Sequence, residues 1–381
     1  MKRIGVIVFG VGGVGQALLR QIVAGREGVA ARDAVRFEVL VLADSKSWLW
    51  APEGMTDDEI LGAVAAKGKG LPLSAEGQGL VPDEATLAEV ERGTKQALTV
   101  RAQQKLAKLE RIPDVEIVAH VKEAGWADVI VVDVTAQEGM EPALDEALAA
   151  GYGVALANKK ALAGPWESAQ RYFNNRQVRH ESTVGGGQPV IATLRYLVDT
   201  GDPIYLIEGQ LSGTLGFICQ CLDEGMDFSQ ALALAKAKGY TEPDPREDLS
   251  GQDVMRKVMI LGRMAGWPVT VDDIYVESLY PPSLAHLPVK EFMNAAIALN
   301  PGMAERVAAA RASGEVLRYV AELAEGKGTV SLKGIAADSP LANLKYIRFQ
   351  TERYDDESLM IGGKGAGVEM TAAGVLGDMI G

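Results

Sequence analysis

The chain contains 381 residues, of which 48% are hydrophobic and 23% are charged, as in an ordinary globular protein with room for two or three domains. Its formal net charge of −13 argues against binding to nucleic acid or to an anionic membrane surface. The N-terminal apolar run is short and interrupted by glycines, and no apolar run reaches the roughly 20 residues of a membrane span. We therefore expect a cytoplasmic protein without a secretory signal.

A dinucleotide-binding turn is predicted near the N-terminus. Residues 4–9, IGVIVF, are typical of a buried parallel strand, GVGGVG follows at 10–15, and the next dozen residues predict a helix. In this setting the glycines permit a tight turn, close approach to a pyrophosphate and close packing of helix on strand. A plain glycine-rich connection is the alternative. The candidate cofactor contacts are Gly10, Gly12, Gly13, Val14 and Gly15.

The second predicted strand ends in a candidate specificity residue. Residues 37–44, FEVLVLAD, end in Asp44, which could accept the ribose 2′-hydroxyl of NAD. Lys46 could instead meet the 2′-phosphate of NADP, so the choice between the two cofactors stays open. Residues 51–122 are mostly polar, with a glycine-rich interruption around 67–79, and predict a helical insertion in the nucleotide-binding domain.

Two further strands are predicted to end in polar residues. Residues 129–137, VIVVDVTAQ, form one of them, and residues 152–162, YGVALANKKAL, form the other, which ends in Asn158, Lys159 and Lys160. Neighbouring lysines usually form a solvated surface. At the carboxyl end of a parallel strand, however, they would lie where doubly wound sheets bind their ligands.

A glycine triplet beside a carboxylate allows two interpretations. Residues 180–190, HESTVGGGQPV, contain Glu181 followed by three successive glycines. Such a segment can turn backbone carbonyls inward and, with Glu181, hold a hard cation. It can equally be a tight connection between domains, and both interpretations stay open.

The two cysteines are expected to be packing residues. Residues 205–225 are typical of a strand, a turn and a helix, and the helix contains Cys219 and Cys221. Two cysteines cannot form a disulfide framework in a chain of this length, and no further cysteine or nearby histidine completes a metal ligand set.

An acidic loop followed by a helix is the most distinctive stretch, at residues 239–266. Pro243 and Pro245 predict a non-helical loop, and Ser250 then predicts the N-cap of a helix that ends before Gly266. Four carboxylates lie in the loop: Glu242, Asp244, Glu247 and Asp248.

The charges of this helix separate into two groups at about 100° per residue. Arg256 and Arg263 share one sector, which predicts a solvent-exposed face. Asp253 and Lys257 instead fall on the apolar arc, beside Ile260. An ordinary surface ion pair worth a few tenths of a kcal/mol is one interpretation. The other is a functional site, because buried charges are costly unless they are paired.

The whole pattern predicts an α/β protein of two domains. Residues 1–165 and 356–381 are expected to form a Rossmann-type domain with a doubly wound parallel sheet, since the C-terminal residues contain another glycine turn and a helix. Residues 166–355 mix strands with amphipathic helices and predict an α+β second domain.

Six segments of the chain resemble those of homoserine dehydrogenases, in the order of that family: GVGGVG, ANKKAL, ESTVGGG, SGTLGFI, GYTEPDPREDLSGQDVMRK and GKGAGVEMTAAGVLGD. The similarity covers nearly all of the chain outside residues 51–122. It implies reversible hydride transfer between NADP or NAD and the pair of L-aspartate 4-semialdehyde and L-homoserine. It also implies a homodimer formed through the sheet of the second domain, which binds the substrate.

The resemblance further implies roles for individual residues. Lys257 matches the proton donor to the aldehyde oxygen, and Lys159 matches a lysine beside nicotinamide and substrate. The residues that match substrate contacts are Glu242, Asp248 and Asp253. Those that match further cofactor contacts are Thr135, Gly239 and Gly365. A monovalent cation such as Na⁺ is implied at Glu181 with backbone groups of Val184, Gly186 and Gln188.

Two departures from the family pattern concern regulation. Many bacterial relatives carry a C-terminal ACT domain that senses threonine, and others are fused to an aspartate kinase. Because this chain ends at Gly381, directly after the last predicted helix, we expect no built-in feedback by threonine. The role of residues 51–122 stays open.

Two other functions compete with this interpretation. Aspartate-semialdehyde dehydrogenase uses the same aldehyde but needs a nucleophilic cysteine, whereas Cys219 and Cys221 lie at an apolar helix start without a neighbouring histidine. A non-catalytic dinucleotide sensor is the second alternative. The lysines and carboxylates argue against it, because a sensor has no need of a proton donor.

Overall fold

The computed structural model describes residues 1–73 and 107–381, so the middle of the predicted 51–122 insertion and part of its glycine-rich stretch lie outside the described residues. The chain forms two compact units. The first comprises Met1–Ala161, Asn174–Gly187 and Gly367–Gly381, and the second comprises Leu162–Phe173 and Gln188–Ala366.

The described strands and helices alternate through much of the chain. The strands are β1 (Lys2–Phe9), β2 (Val35–Ala43), β3 (Ser47–Trp50), β4 (Ala107–Glu110), β5 (Val129–Asp133), β6 (Gly153–Leu156), β7 (Val178–Arg179), β8 (Ile204–Gly209), β9 (Ile274–Val276), β10 (Glu315–Ala324), β11 (Lys327–Ala336), β12 (Tyr346–Thr351) and β13 (Leu359–Gly362). The helices are α1 (Gly13–Asp33), α2 (Asp57–Gly68), α3 (Asp114–Glu123), α4 (Glu141–Ala149), α5 (Lys160–Ala163), α6 (Trp166–Phe173), α7 (Val190–Asp199), α8 (Gly213–Asp223), α9 (Phe228–Ala237), α10 (Pro245–Leu249), α11 (Gln252–Met264), α12 (Val289–Ala295), α13 (Asn300–Ala312) and α14 (Val368–Ile380).

The sheet of the first unit has the strand order β4–β3–β2–β1–β5–β6–β7. Strands β2, β1, β5, β6 and β7 are parallel, whereas β3 pairs antiparallel with β2 and β4 pairs antiparallel with β3. The doubly wound parallel sheet predicted from the sequence is confirmed. The described parts of the 51–122 segment are not purely helical, because residues 107–110 extend this sheet.

Apolar strands and helices share one core in the first unit. Strand β1 runs from exposed residues at its start to fully buried ones at its end, as a central parallel strand should. Helix α14 packs against α1, and its Ala372, Val375 and Met379 join the same buried cluster as Leu18 and Ile22 of α1. The C-terminal residues of the chain therefore complete the core of the unit that begins it.

The sheet of the second unit has the strand order β13–β12–β8–β10–β11–β9. It is antiparallel except where β9 pairs with β11. Helix α11 packs against β10 at Gly262, where an added Cβ would lie 2.3 Å from Leu323 Cδ2, so glycine allows the close approach. This packing holds the helix that carries Asp253 and Lys257 against the sheet.

Two predictions for the residues just before α11 were wrong. Residues 245–249 form a short helix rather than a loop, because Pro245 occupies its first position, where no backbone N–H is needed, and Asp244 caps it by accepting from Arg246 N at 3.0 Å. Ser250 ends that helix, and Gly251, in the left-handed region at φ 72°, is the N-cap of α11. The predicted end of the helix before Gly266 is confirmed.

The prediction of a solvent-exposed Arg263 was wrong. Its side chain is 3% exposed, because Nε donates to Val269 O at 2.9 Å and Nη1 donates to Leu162 O at 2.6 Å and Gly164 O at 2.8 Å. The guanidinium also lies over the ring of Trp166. Backbone carbonyls thus provide the partners that a buried charge requires.

In the described ranges, no helix is both long and apolar enough to span a lipid bilayer.

Candidate active site

The four glycines of the first turn differ in what surrounds them. Gly10 has φ +98° and lies against the backbone of Val134, where an added Cβ would be 3.0 Å from the Val134 carbonyl. At Gly15 a Cβ would lie 2.0 Å from the Gly10 carbonyl oxygen, whereas Gly12 faces open space. Gly13 and Val14 begin α1, and the first N–H groups of a helix have no intrahelical acceptor. The turn therefore offers donors beside open space.

A cleft of about 250 Å³ adjoins this turn in the first unit. Phe9, Val11, Ala43, Ser45 and Ala136 form part of its wall. The remaining lining residues are the predicted Gly10, Gly12, Asp44 and Thr135 together with Lys67, Arg111, Asp114 and Gln137. The structure thus brings the predicted cofactor residues of three strand ends into one cavity.

Asp44 is held in a fixed orientation at the end of β2. Its Oδ1 accepts from the backbone N–H of Lys46 and of Ser47, each at 2.8 Å, and its Oδ2 accepts from Lys67 Nζ at 2.9 Å. Burial alone would raise the pKa of Asp44, but the hydrogen bonds from Lys46, Lys67 and Ser47 lower it below its usual value. The carboxylate therefore stays charged and is paired with a lysine.

Sequence reasoning missed the cations of this cleft. Lys67 ends α2, and Arg111, which follows β4, donates from Nε to the Asp44 carbonyl oxygen at 2.9 Å and from Nη2 to the Asp114 carboxylate. Both belong to the 51–122 segment, for which the sequence assigned no role. Their polar surroundings gave no local signal, because they meet Asp44 only through the fold. Lys46, the predicted phosphate contact, has an exposed side chain.

The carboxyl ends of β5 and β6 carry the next group of predicted residues. Thr135 lines the cleft. Lys159 follows β6 and is half-buried at this edge of the sheet, directly after the buried Asn158. Asn158 donates from Nδ2 to Thr135 Oγ1 at 3.1 Å, so the loop that carries Lys159 is bonded to the loop that carries Thr135.

In the second unit, Lys257 is the centre of a charged cluster. Its Nζ lies 2.7 Å from Asp253 Oδ2 and donates to the Leu211 carbonyl oxygen at 2.8 Å. The Lys257 side chain is 18% exposed and that of Asp253 is 47% exposed. The predicted interior position is correct for Lys257, whereas Asp253 reaches towards solvent. Lys257 differs from a lysine of an ordinary surface pair because most of its side chain is buried and its amine also bonds to a backbone carbonyl.

The acidic loop forms its own bonded arrangement beside this helix. Asp248 Oδ2 accepts from Glu242 N at 2.8 Å, and the Thr214 hydroxyl lies within reach of both Asp248 and the Tyr240 carbonyl oxygen. Burial raises the pKa of Asp248, with a further contribution from the negative charge of Asp253. Thr214, in the first turn of α8, is a candidate contact that the sequence did not single out.

The remaining predicted residues lie at element ends. Gly239 follows α9 with φ +70°, and the buried Gly365 lies between β13 and α14. Both belong to the second unit. Gly239 N donates to the Lys236 carbonyl oxygen at 3.0 Å, at the end of α9, and the cofactor contacts of both glycines stay predictions.

The predicted cation residues are distributed over both units. Glu181 begins a short 3₁₀ turn, Val184 is fully buried, and Gly186 has φ +64°, whereas Gln188 belongs to the second unit and donates to Gly363 O at 3.0 Å. Among residues 1–73 and 107–381, no group of three or more histidine, cysteine and acidic side chains could hold a metal ion. A cation here would depend on one carboxylate and on backbone carbonyls.

Both cysteines lie buried in α8 as free thiols. Burial raises the pKa of Cys219 to about 12 and also raises that of Cys221. Because only the thiolate is a strong nucleophile, neither cysteine suits thioester chemistry at neutral pH.

Comparison with known sequences gives a consistent family. A family model described as homoserine dehydrogenase matches residues 189–380, about half of the chain. The homoserine dehydrogenase of Paracoccidioides brasiliensis is 41% identical over 289 residues, which cover 70% of this chain and 77% of that protein. The chloroplastic bifunctional aspartokinase/homoserine dehydrogenase 1 of Zea mays is 41% identical over 266 residues, covering 66% of this chain but only 29% of the longer protein.

Solved structures share the fold over the full chain. A Candida auris protein of unknown function is 30% identical with a TM-score of 0.78 and covers 100% of this chain and 98% of its own. A hyperthermophilic archaeal homoserine dehydrogenase in complex with NADPH is 22% identical with a TM-score of 0.67 and covers 99% of this chain and 97% of its own. The match of the family model and the similarity to the Paracoccidioides protein show that the chain belongs to the homoserine dehydrogenase family.

Proposed function

We propose that the chain catalyses the reversible reduction of L-aspartate 4-semialdehyde to L-homoserine with a nicotinamide dinucleotide. Family membership supports the reaction. The observation that carries the proposal is the largely buried Lys257, whose amine is bonded to Asp253 and to the Leu211 carbonyl oxygen. An aldehyde that gains hydride becomes an alkoxide, and a positioned ammonium group can give it a proton.

In this proposal the charged residues of the acidic loop and of α11 have defined roles in binding and catalysis. Lys257 donates the proton to the aldehyde oxygen and regains it in the reverse direction. Asp253 orients the lysine amine through their contact at 2.7 Å. The substrate's ammonium group needs carboxylates, which Glu242 and Asp248 supply. The bonds of Asp248 to Glu242 N and to Thr214 keep one oxygen in place for this contact.

The cofactor supplies hydride at its nicotinamide carbon, and the cleft of the first unit fits its phosphates and adenosine. Gly12 and the start of α1 offer backbone donors beside open space. The cleft volume of about 250 Å³ is smaller than a whole dinucleotide needs and fits its adenosine portion. Lys159, at the carboxyl edge of the same sheet, is proposed to contact both nicotinamide and substrate.

We further propose that Lys67 lets this cleft accept the 2′-phosphate of NADP(H). An unpaired Asp44 would repel that phosphate, whereas Lys67 neutralises the carboxylate at 2.9 Å. Arg111 contributes a second cation in the cleft. The archaeal homoserine dehydrogenase of similar fold, which was solved in complex with NADPH, supports this proposal.

A monovalent cation, a homodimer and a cytoplasmic location complete the proposal. The left-handed glycines after Val184 turn the backbone beside Glu181, as a cation site built from carbonyls requires. Strand β12 and strand β8 of the second sheet place charged Arg348 and Glu208 as a bonded pair on one face, which suits a polar contact with a second copy. A chain of this length with only two cysteines has no disulfide framework, which fits a reducing compartment.

The decisive experiment is a stopped or continuous assay of NADPH oxidation with L-aspartate 4-semialdehyde. We expect formation of homoserine without added phosphate, and faster turnover in sodium than in choline buffer. With NADP⁺ supplied in place of NADPH, oxidation of the aldehyde that requires phosphate would instead identify an aspartate-semialdehyde dehydrogenase. Dinucleotide binding without turnover would identify a sensor.

A further inference from the structure

A buried carboxylate lies at the carboxyl edge of the first sheet and has no part in the reaction described above. Asp133, the last residue of β5, is 1% exposed. Its Oδ1 accepts from Thr135 N at 2.9 Å and from Thr135 Oγ1 at 2.7 Å, and its Oδ2 accepts from Asn158 Nδ2 at 3.0 Å. Burying a carboxylate against amide and hydroxyl donors is costly and therefore requires a reason.

Asn158 connects this carboxylate to two loops. The side chain is 5% exposed, and its Nδ2 also donates to the Gln137 carbonyl oxygen at 2.9 Å. Its Oδ1 accepts from Lys160 N at 3.0 Å. One amide thus bridges the loop of Thr135 and Gln137, which lines the cofactor cleft, to the loop that contains Lys159. The two hydrogens of Nδ2 are shared among three acceptors, Asp133 Oδ2, Thr135 Oγ1 and the Gln137 carbonyl oxygen, and Asp133 fixes the orientation of the amide among them.

We infer that Asp133 is a positioning residue whose charged carboxylate, acting through Thr135 and Asn158, sets the cofactor-binding loop and the Lys159 loop in their working arrangement. This inference rests on the proposed function, because Thr135 and Lys159 owe their roles to it. A charged carboxylate accepts at both oxygens. Protonation converts one oxygen into a donor, which must then face the donors of Thr135 or the amide of Asn158. The two loops lose part of their connection when that happens.

The surroundings of Asp133 favour the protonated form of its carboxyl group at mildly acidic pH. Burial raises the pKa of Asp133 to about 6, the hydrogen bonds from Thr135 and Asn158 oppose that rise, and the charge of Asp114 adds to it. Glu138 and Lys160, which face this edge, form an ion pair of their own at 3.0 Å. Lys159 is the second cation of this loop. The network is therefore charged and complete above about pH 6 and is lost as the pH falls through that value.

The sign of the linked stability change separates this mechanism from acid unfolding. A carboxyl group whose pKa is higher in the folded than in the unfolded protein makes the fold bind protons more tightly, so this group increases stability as the pH falls towards its unfolded pKa. Cofactor binding should weaken over the same interval. Loss of binding together with retained or increased stability is the signature of a positioning carboxylate.

The test measures the affinity of the 381-residue protein for NADPH and for NADH by fluorescence titration between pH 5 and 8, with homoserine formation followed in parallel. NADH is included because it lacks the 2′-phosphate, which itself titrates at about pH 6. For the wild type we expect affinity to fall about tenfold below an apparent pKa near 6. The Asp133→Asn variant should bind about tenfold more weakly at pH 8 with no such transition, because its amide faces that of Asn158. Asp114→Asn removes a neighbouring negative charge and should move the transition to lower pH.

The outcomes distinguish the inference from the proposed reaction. A transition near pH 6 in the affinity for NADH that persists in a folded Asp133→Asn variant would overturn the positioning role, as would one that Asp114→Asn does not shift. If Asp133→Asn does not fold, the shift in Asp114→Asn still decides the question. Failure of the reaction itself would appear as wild-type protein that binds NADPH with the expected pH dependence but forms no homoserine.

Discussion

Replacing Lys257 by alanine is expected to lower kcat by roughly 10²–10⁴, the usual cost of losing a positioned acid or base. The physical reason is that its amine, fixed by Asp253 and by the Leu211 carbonyl oxygen, is the proposed source of the proton for the aldehyde oxygen. The affinity for NADPH should barely change, because Lys257 belongs to the second unit and the proposed cofactor cleft to the first. Steady-state kinetics with both substrates varied, together with NADPH titration, measure the two quantities.

Lys257→Met is the matched variant for this experiment. It keeps the length and packing of the side chain but removes the charge, so it should lose as much kcat as Lys257→Ala if proton donation is the role. Asp253→Asn should lower kcat/KM by a smaller factor without unfolding the protein, because the lysine keeps its bond to Leu211. If the two residues were only a surface pair, each change would cost under about 1 kcal/mol of stability and leave turnover intact. Near-wild-type kcat in a folded Lys257→Met protein would refute the assignment.

The features that sequence reasoning found are those set by local chemistry. The turn at residues 10–15 follows from glycines between a β-branched strand and a helix, and the fold confirms a parallel sheet there. The interior position of Lys257 followed from helical periodicity alone. Helix α11 ends near Gly266, as expected, because a glycine at positive φ commonly ends a helix.

The features that were missed depend on partners distant in the chain. Arg263 occupies the sector that the helical wheel assigns to solvent, yet it is buried because the carbonyl groups of Leu162 and Gly164, about a hundred residues earlier, accept its hydrogen bonds. Periodicity cannot show such acceptors. Likewise, Lys67 and Arg111 meet Asp44 only because β3 and β4 extend the sheet. No motif marks these two cations, so the cofactor cleft was predicted without the groups that neutralise it.

The pairing of Asp44 with Lys67 leads to a second prediction, which concerns the preference between NADPH and NADH. Lys67→Met is expected to shift the ratio of kcat/KM for NADPH over NADH by roughly 10–100-fold towards NADH, since a charge-assisted hydrogen bond is worth about 1.5–3 kcal/mol. Two causes act in the same direction. The variant loses the cation proposed for the 2′-phosphate, and it leaves Asp44 Oδ2 free to accept the ribose 2′-hydroxyl of NADH.

Lys69→Met is the control, because Lys69 lies just after the same helix, has an exposed side chain and takes no part in the lining of the cleft. It removes the same charge from the chain and should leave the cofactor ratio unchanged. The effect of Lys67→Met should also shrink at high ionic strength, since salt screens the attraction between lysine and phosphate. An equal decrease of kcat/KM with NADPH and with NADH would show that Lys67 supports the structure of the cleft and does not recognise the group at the ribose 2′ position. In that case the choice of cofactor would have to depend on Arg111 or on the exposed Lys46.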